Sequence, residues 1–258
     1  MKRILIALAA AAALGACTQT TMQSEAPAAG APAAPSADAA IAAAVADSAR
    51  PEADVARDAM RHPAETLAFA QIAPGQRVGE LVPGGGYFTR IISRVVGPEG
   101  RVYAMVPPPQ ATNNAPNPIA ALVETYPNIT VAPQSFTTIS VSEPLDVIFT
   151  AQNYHDLHLA RFNLDVAAVN RAIFNAIRPG GHYVIVDHSA VAGAEIGVAD
   201  TLHRIDQAIV RREVEAAGFV FEGESDVLRN PADDRTVNVF DPAIRGHTDQ
   251  FIMRFRRP

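Results

Sequence analysis

Residues 77–93 read RVGELVPGGGYFTRIIS. Residues 78–82 make an apolar strand, 83–86 a Pro-Gly-Gly-Gly turn, and a helix opens near Tyr87. Glycine admits positive φ and lets a ligand approach the backbone closely. The free N–H groups and positive dipole end of a helix start attract polar and anionic groups. The stretch therefore predicts a cradle for the polar end of a nucleotide-like ligand. Glu80 is an acid inside an apolar strand, a place where folding alone does not call for one. The plainer reading, an ordinary strand–helix turn, stays open, because short glycine-rich signals recur without function.

Outward from this stretch, strands and helices alternate. Residues 100–106, 129–132, 146–152 and 182–187 read as further strands, with 219–228 and 250–256 closing the series. Helices are expected over 51–60, 64–71, 119–126, 161–177 and 204–217, the last capped by Gly218. In 161–177, Val166, Val169, Ile173, Phe174 and Ile177 share one face. Residues 229–248 form a long loop. This order predicts an α/β doubly wound, mostly parallel seven-stranded sheet with an antiparallel edge strand, since no helix separates the last two strands. Ligands in such sheets sit at the carboxyl ends of the strands, at the switch point.

The first fifty residues follow other rules. Lys2 and Arg3 precede an apolar run over 4–14, too short for a comfortable membrane span. Leu14-Gly15-Ala16-Cys17 follows, and Cys17 is the only cysteine, so no intramolecular disulfide can form. These parts resemble the bacterial lipoprotein signal. The resemblance implies lipid on Cys17 and a protein held in the cell envelope, the outer membrane favoured over the inner, with the domain in the periplasm. Residues 18–50, rich in Ala and Pro, read as a flexible tether outside the core, with a marginal helix over 41–49. The division is thus 1–17 signal, 18–50 tether and 51–258 domain. A net charge of −6 argues against a nucleic-acid partner.

From residue 64 onward the layout resembles the class I S-adenosylmethionine-dependent methyltransferases. The carriers are residues 78–86, the strand and turn at 146–153, Ile177-Arg178-Pro179-Gly180-Gly181, and the antiparallel closing pair. Arg57-Asp58, Arg61-His62-Pro63, Asn153-Tyr154-His155-Asp156 and Arg245-Gly246 resemble a branch of exported bacterial methyltransferase-like proteins. The resemblance implies S-adenosylmethionine as cofactor and a small molecule as methyl acceptor. It implies cofactor contacts from Glu80, Pro83, Gly84, Gly85, Gly86, Tyr87, Phe88, Met105, Gln152 and Asn153. The sequence departs from the pattern twice. Val82 stands where the first loop glycine is usual, and the second strand ends Ala104-Met105-Val106 rather than in the acid that holds the ribose hydroxyls.

Methyl transfer needs an oriented acceptor and, for some acceptors, a base. His155 or Asp156 is expected to be that base, with Tyr154 beside them, stacked on a ligand ring or packed. The alternative is that His155 and Asp156 cap the next helix. A second alternative is a metal site built from His155, His158, Asp187, His188, His203 and Asp206. A third is a non-catalytic or repurposed ligand-binding protein of the same fold. Arg229 and Arg245 are expected either to meet an acidic substrate or to pair with Asp233, Asp234 and Asp241. The polar residues at 57, 58 and 62 form a solvated ion-pair face or a cover over the ligand.

Overall fold

The computed structural model describes residues 35–107 and 117–258. Cys17, the signal and most of the expected tether lie outside the described residues, as does part of the loop after the second strand. Four helices come first: α1 (Ala37–Val45), α2 (Glu52–Val55), α3 (Asp58–Arg61) and α4 (Pro63–Phe69). Then follow β1 (Arg77–Leu81), α5 (Tyr87–Val96), β2 (Arg101–Val106), β3 (Ile129–Pro133), β4 (Leu145–Ala151), α6 (Val166–Ala176) and β5 (Ile177–His188). The chain ends in α7 (Val198–Leu202), α8 (Gln207–Ala216), β6 (Val220–Ser225) and β7 (Gln250–Arg256).

The seven strands pair in the order β3-β2-β1-β4-β5-β7-β6. The pairs β1–β2, β1–β4, β2–β3 and β4–β5 are parallel. As expected of strands covered on both faces, β4 is apolar throughout its middle, and Val147, Ile148 and Phe149 are fully buried. One layer packs α5, α4 and α1 on the sheet, with Ile91, Ile92, Leu67 and Ile41 among its buried residues. The other packs α6 and α8, through Val169, Ile173, Val210 and Val214. β7 runs antiparallel to both β5 and β6. The closing pair forms the sheet edge as the sequence predicts, and within it the reversed strand is the inner one.

Two expectations need correction. The tether does not extend to residue 50. Residues 34–258 form one unit, and α1 belongs to its core: Ile41 and Ala44 are 2% and 3% exposed. Burying an isoleucine contributes roughly 2–3 kcal/mol, enough to hold an alanine-rich helix in place. Ser36 caps that helix by accepting from Ala39 N–H. Arg50 closes its other end, donating to the Val45 carbonyl and, through both terminal nitrogens, to Asp58 at 2.8 and 2.6 Å. The second correction is the helix expected over 119–126, which is a single 3₁₀ turn at Ala120–Leu122.

Candidate functional site

The switch point of the sheet lies between β1 and β4, where strand order reverses. Just beyond the carboxyl ends of these two strands both chains are forced into the left-handed region, Val82 at φ 50° and Gln152 at φ 64°. Such strain in residues with side chains gathers at ligand sites. The Val82 amide donates to the Met105 carbonyl at 2.9 Å. Asn153 Nδ2 ties the two turns together, donating to Ala151 O at 2.6 Å and Val82 O at 3.3 Å.

A cavity of about 430 Å³ opens on this junction. Glu80, Pro83, Gly84, Gly85, Tyr87, Phe88, Gln152 and Asn153, eight of the ten residues expected to contact a cofactor, line it, together with Asp54, Arg57, Arg61 and Arg90. At Gly84 and Gly85 an added Cβ would meet nothing within 4 Å among the described residues, so the turn is an open cradle. Arg90 Nη1 fixes it from behind, donating to Gly85 O and to Asp54, both at 2.9 Å.

The short helices α2 and α3 cover this cavity. Three guanidiniums lie over the Tyr87 ring: Arg61 at 4.7 Å, Arg57 at 4.8 Å and Arg50 at 5.6 Å. The Tyr87 hydroxyl donates to Asp58 at 2.6 Å. Burial and the Asp58 carboxylate hold that phenol well above its ordinary range. Of the polar residues at 57, 58 and 62, Arg57 lines the cavity while pairing with Asp54 at 2.6 Å, Asp58 holds the Tyr87 hydroxyl, and His62 stands outside it, 3.7 Å from Glu65. Glu80 is buried under the cradle, and its one side-chain partner among the described residues is Thr89, whose hydroxyl donates at 2.6 Å. Burial raises its pKa to about 8, against the opposing pull of the Thr89 hydrogen bond and of Arg61 and Arg90.

A second cavity of about 350 Å³ adjoins the first. Arg57, Arg61 and Gln152 line both, so these side chains form a party wall. Arg61 donates to Gln152 Oε1 at 2.7 Å, and Gln152 Nε2 donates to Gln250 at 3.0 Å. The far side carries His188, Phe240, Arg245 and Gly246. His188 shares a 2.7 Å hydrogen bond between Nδ1 and the Thr248 hydroxyl. Burial lowers its pKa to about 4 despite the neighbouring Asp187, so the ring is neutral at ordinary pH. Arg245 is exposed and has no ion-pair partner among the described residues, whereas Arg229 pairs with Asp249 at 3.1 Å. A further cavity of about 700 Å³ lies at the amino ends of the strands, between α1 and the turns at Gly75 and Gly97. It is remote from the strained turns, and its charged pair, Arg94–Asp47, is closed on itself at 2.7 Å.

Several expected site residues stand elsewhere. Met105 is fully buried beneath β1; its Cε lies 2.7 Å from where a Cβ at Gly79 would sit. Gly86 caps α5 at φ 84° and packs on Leu122, away from the cavity. Tyr154 points into the opposite layer, 1% exposed, donating to Glu213 at 3.0 Å and accepting from Asn170 at 2.8 Å. It is a core residue, not a catalytic one. His155 and Asp156 line neither cavity. His155 is 3% exposed, its Nδ1 2.8 Å from Asp187 Oδ1 and its amide 2.6 Å from Asp187 Oδ2. The six-residue metal set is likewise divided: His158 joins Glu213 at 3.0 Å, His188 joins Thr248, and Asp206 caps α8. The sequence reading passes over Asp54 and Arg90, whose 2.9 Å pairing spans 36 positions and leaves no local pattern.

No family model matches the sequence, and no curated protein matches it either. Solved structures do. A SAM-dependent methyltransferase from Aquifex aeolicus superposes at a TM-score of 0.56 and 17% identity, over 79% of this chain and 93% of that one. The N-methyltransferase NodS from Bradyrhizobium japonicum gives 0.51 at 14% identity, over 80% and 98%. Aeropyrum pernix fibrillarin, solved with natively bound S-adenosyl-L-methionine, gives 0.51 at 14%, over 77% and 76%. The fold is that of the class I methyltransferases. At the junction of β1 and β4, Val82 takes up a left-handed backbone, φ 50°, that glycine adopts more easily. Holding a β-branched residue there costs on the order of 1–2 kcal/mol. No acid stands at the end of β2, where Val106 and Pro107 follow Met105.

Proposed function

We propose that the protein is an S-adenosylmethionine-dependent methyltransferase acting on an anionic small molecule, carried on a lipid anchor in the cell envelope. The observation that carries the reading is the pair of adjoining cavities sharing Arg57, Arg61 and Gln152 at the switch point. Transfer between two bound molecules needs such a pair of chambers, with the reacting atoms held in line.

The first cavity suits the methionine end of the cofactor. Gly84 and Gly85 leave room for backbone contact. Glu80 and Asp54 supply acceptors for an ammonium, and Arg61 and Arg90 supply donors for a carboxylate. The bound cofactor supplies an electrophilic methyl group. For the ribose hydroxyls the carboxylates lining this cavity are Asp54 and Glu80, and Asp54 is tied to Arg57 and Arg90. Losing a charge-assisted hydrogen bond weakens binding by about 1.5–3 kcal/mol, so affinity at the weak end is expected.

In the second cavity Arg57, Arg61 and Arg245 attract an anionic acceptor, and no carboxylate among the described residues lines it. The neutral His188 ring accepts a hydrogen bond from the acceptor's nucleophile and orients it. This role moves from His155 and Asp156, which the sequence pointed to, onto a residue one strand away. The Arg61–Gln152 contact at 2.7 Å stands between the two chambers, so it is expected to open when both are filled.

Calorimetric titration with S-adenosylmethionine and S-adenosylhomocysteine tests the reading. Gly85→Ala is the informative variant: the added methyl meets no atom of the described residues within 4 Å, so stability should shift by less than about 0.5 kcal/mol. Affinity for both ligands should fall at least about tenfold, because the methyl occupies the cradle. Equal affinity in the variant, or no heat from either ligand at millimolar concentration, sinks the proposal. The anchor has its own test. Mass spectrometry of the Cys17→Ser protein should find no acyl chains, and the protein should leave the membrane fraction; lipid on that variant contradicts the assignment.

A further inference from the structure

Three ligand-type atoms converge outside both cavities, behind the wall made by His188 and Phe240. His155 Nε2 lies 3.3 Å from His203 Nδ1 and 3.4 Å from Asp156 Oδ1. His203 Nδ1 lies 3.8 Å from the same oxygen. The three groups come from two places in the chain, the turn after β4 and the end of α7, where His203 is held in the left-handed region at φ 54°. The His203 ring is fixed against the edge of Phe240, 4.9 Å between centroids.

We propose that His155, Asp156 and His203 form a three-ligand site for a divalent transition metal of the zinc class, with the fourth position open to solvent. Spacing favours this metal class. Zinc bonds to nitrogen and oxygen run about 2.0–2.2 Å, and tetrahedral angles then separate neighbouring ligand atoms by about 3.3–3.5 Å. Facial positions of an octahedral ion with bonds near 2.1 Å would stand about 3.0 Å apart. Two of the three separations match the tetrahedral value, and the third needs only a small rotation of the Asp156 carboxylate.

The support behind the ligands is independent of these distances. Asp187 is fully buried and accepts from His155 Nδ1 at 2.8 Å. That bond places the proton on Nδ1 and leaves the Nε2 lone pair facing the cluster, as carboxylate–histidine pairs do behind metals. Asp187 is itself fixed by the amides of His155 at 2.6 Å and His188 at 2.8 Å. On the open side, the Asp156 and His203 side chains are 33% and 17% exposed, which gives an ion a way in and a water or ligand atom the remaining position. The site does not depend on the methyltransferase reading; either can fail alone.

The test uses the full chain purified without a polyhistidine tag, stripped with chelator and titrated with Co²⁺. One equivalent should produce the intense visible absorption of tetrahedral Co²⁺, and Zn²⁺ should bleach it. Asp156→Ala removes a side chain that is one-third exposed, and His203→Asn keeps a residue type that tolerates positive φ. Each should weaken Co²⁺ binding at least ~100-fold, while the metal-free proteins melt as the wild type does. No absorption with the wild type, a weak octahedral spectrum, or binding unchanged in both variants overturns the proposal.

Discussion

Asp233→Ala should lower stability by about 3–5 kcal/mol, the range found when one partner of a buried ion pair is removed. For a domain of this size that is a fall in melting temperature on the order of 10 °C. The Arg204 guanidinium is fully buried and grips Asp233 with both terminal nitrogens, at 2.8 and 3.1 Å. Its remaining donors reach the Ser189 and Val237 carbonyls at 3.1 and 3.0 Å. Asp233 also accepts from the amides of Asp249 at 2.6 Å and Arg235 at 2.9 Å. Removing the carboxylate leaves a charge without water or counter-charge, and leaves two amides unpaired. The double variant Arg204→Met with Asp233→Leu should recover most of the loss, because it removes the stranded charge as well. Thermal and denaturant unfolding of the two proteins checks both statements. A loss under 1 kcal/mol in the single variant would show that the pair does not hold the 229–248 loop in place. That loop carries Phe240 and Arg245 into the second cavity, so the single variant should also lose ligand affinity there first.

The second large effect follows pH. Glu80 has a folded pKa of about 8 against 4.5 for the free side chain. The folded state therefore binds the proton more tightly than the unfolded state does. Between about pH 4.5 and 8 this group's contribution declines as pH rises, and above 8 the full penalty is present. Integrated over the window, the swing is on the order of 3–5 kcal/mol. This sign is opposite to that of a salt-bridged carboxylate such as Asp233, and it arises because burial outweighs the pull of Thr89, Arg61 and Arg90. Glu80→Gln keeps the shape and removes the titration. The variant should equal the wild type near pH 5 and exceed it at pH 9. Melting curves of both proteins across this range that stay parallel would disprove a neutral Glu80.

The stretch at 77–93 was legible because everything it needs is local: an apolar run, glycines at the turn, and an apolar stripe along α5. The layered sheet followed from strand–helix alternation. What escaped is what depends on distant partners. α1 reads as tether because Ile41 and Ala44 are its only fully covered side chains, and their covering comes from α4 and α5. In Tyr154-His155-Asp156, neighbouring positions suggested a shared site. The turn after β4 instead sends Tyr154 into the α6–α8 layer and His155 towards Asp187. Nothing in the local sequence says which histidine, 155 or 188, borders the cavity. That depends on the register of β4 with β5. Met105 looked available because it ends a strand, but strand alternation turns it into the same layer as Tyr103.

The placement of β7 between β5 and β6 bears on how the protein is made. A folding chain in which Gln250–Arg256 has not yet docked leaves β6 unable to hydrogen-bond into the sheet, because its only neighbour among the described residues begins about 25 residues later, at Gln250. Until that segment arrives, β5 presents an open flank ready to pair with another nascent chain. Docking that segment inserts one strand and recruits a second, and it makes this flank the place where chains still folding are most exposed to misassembly.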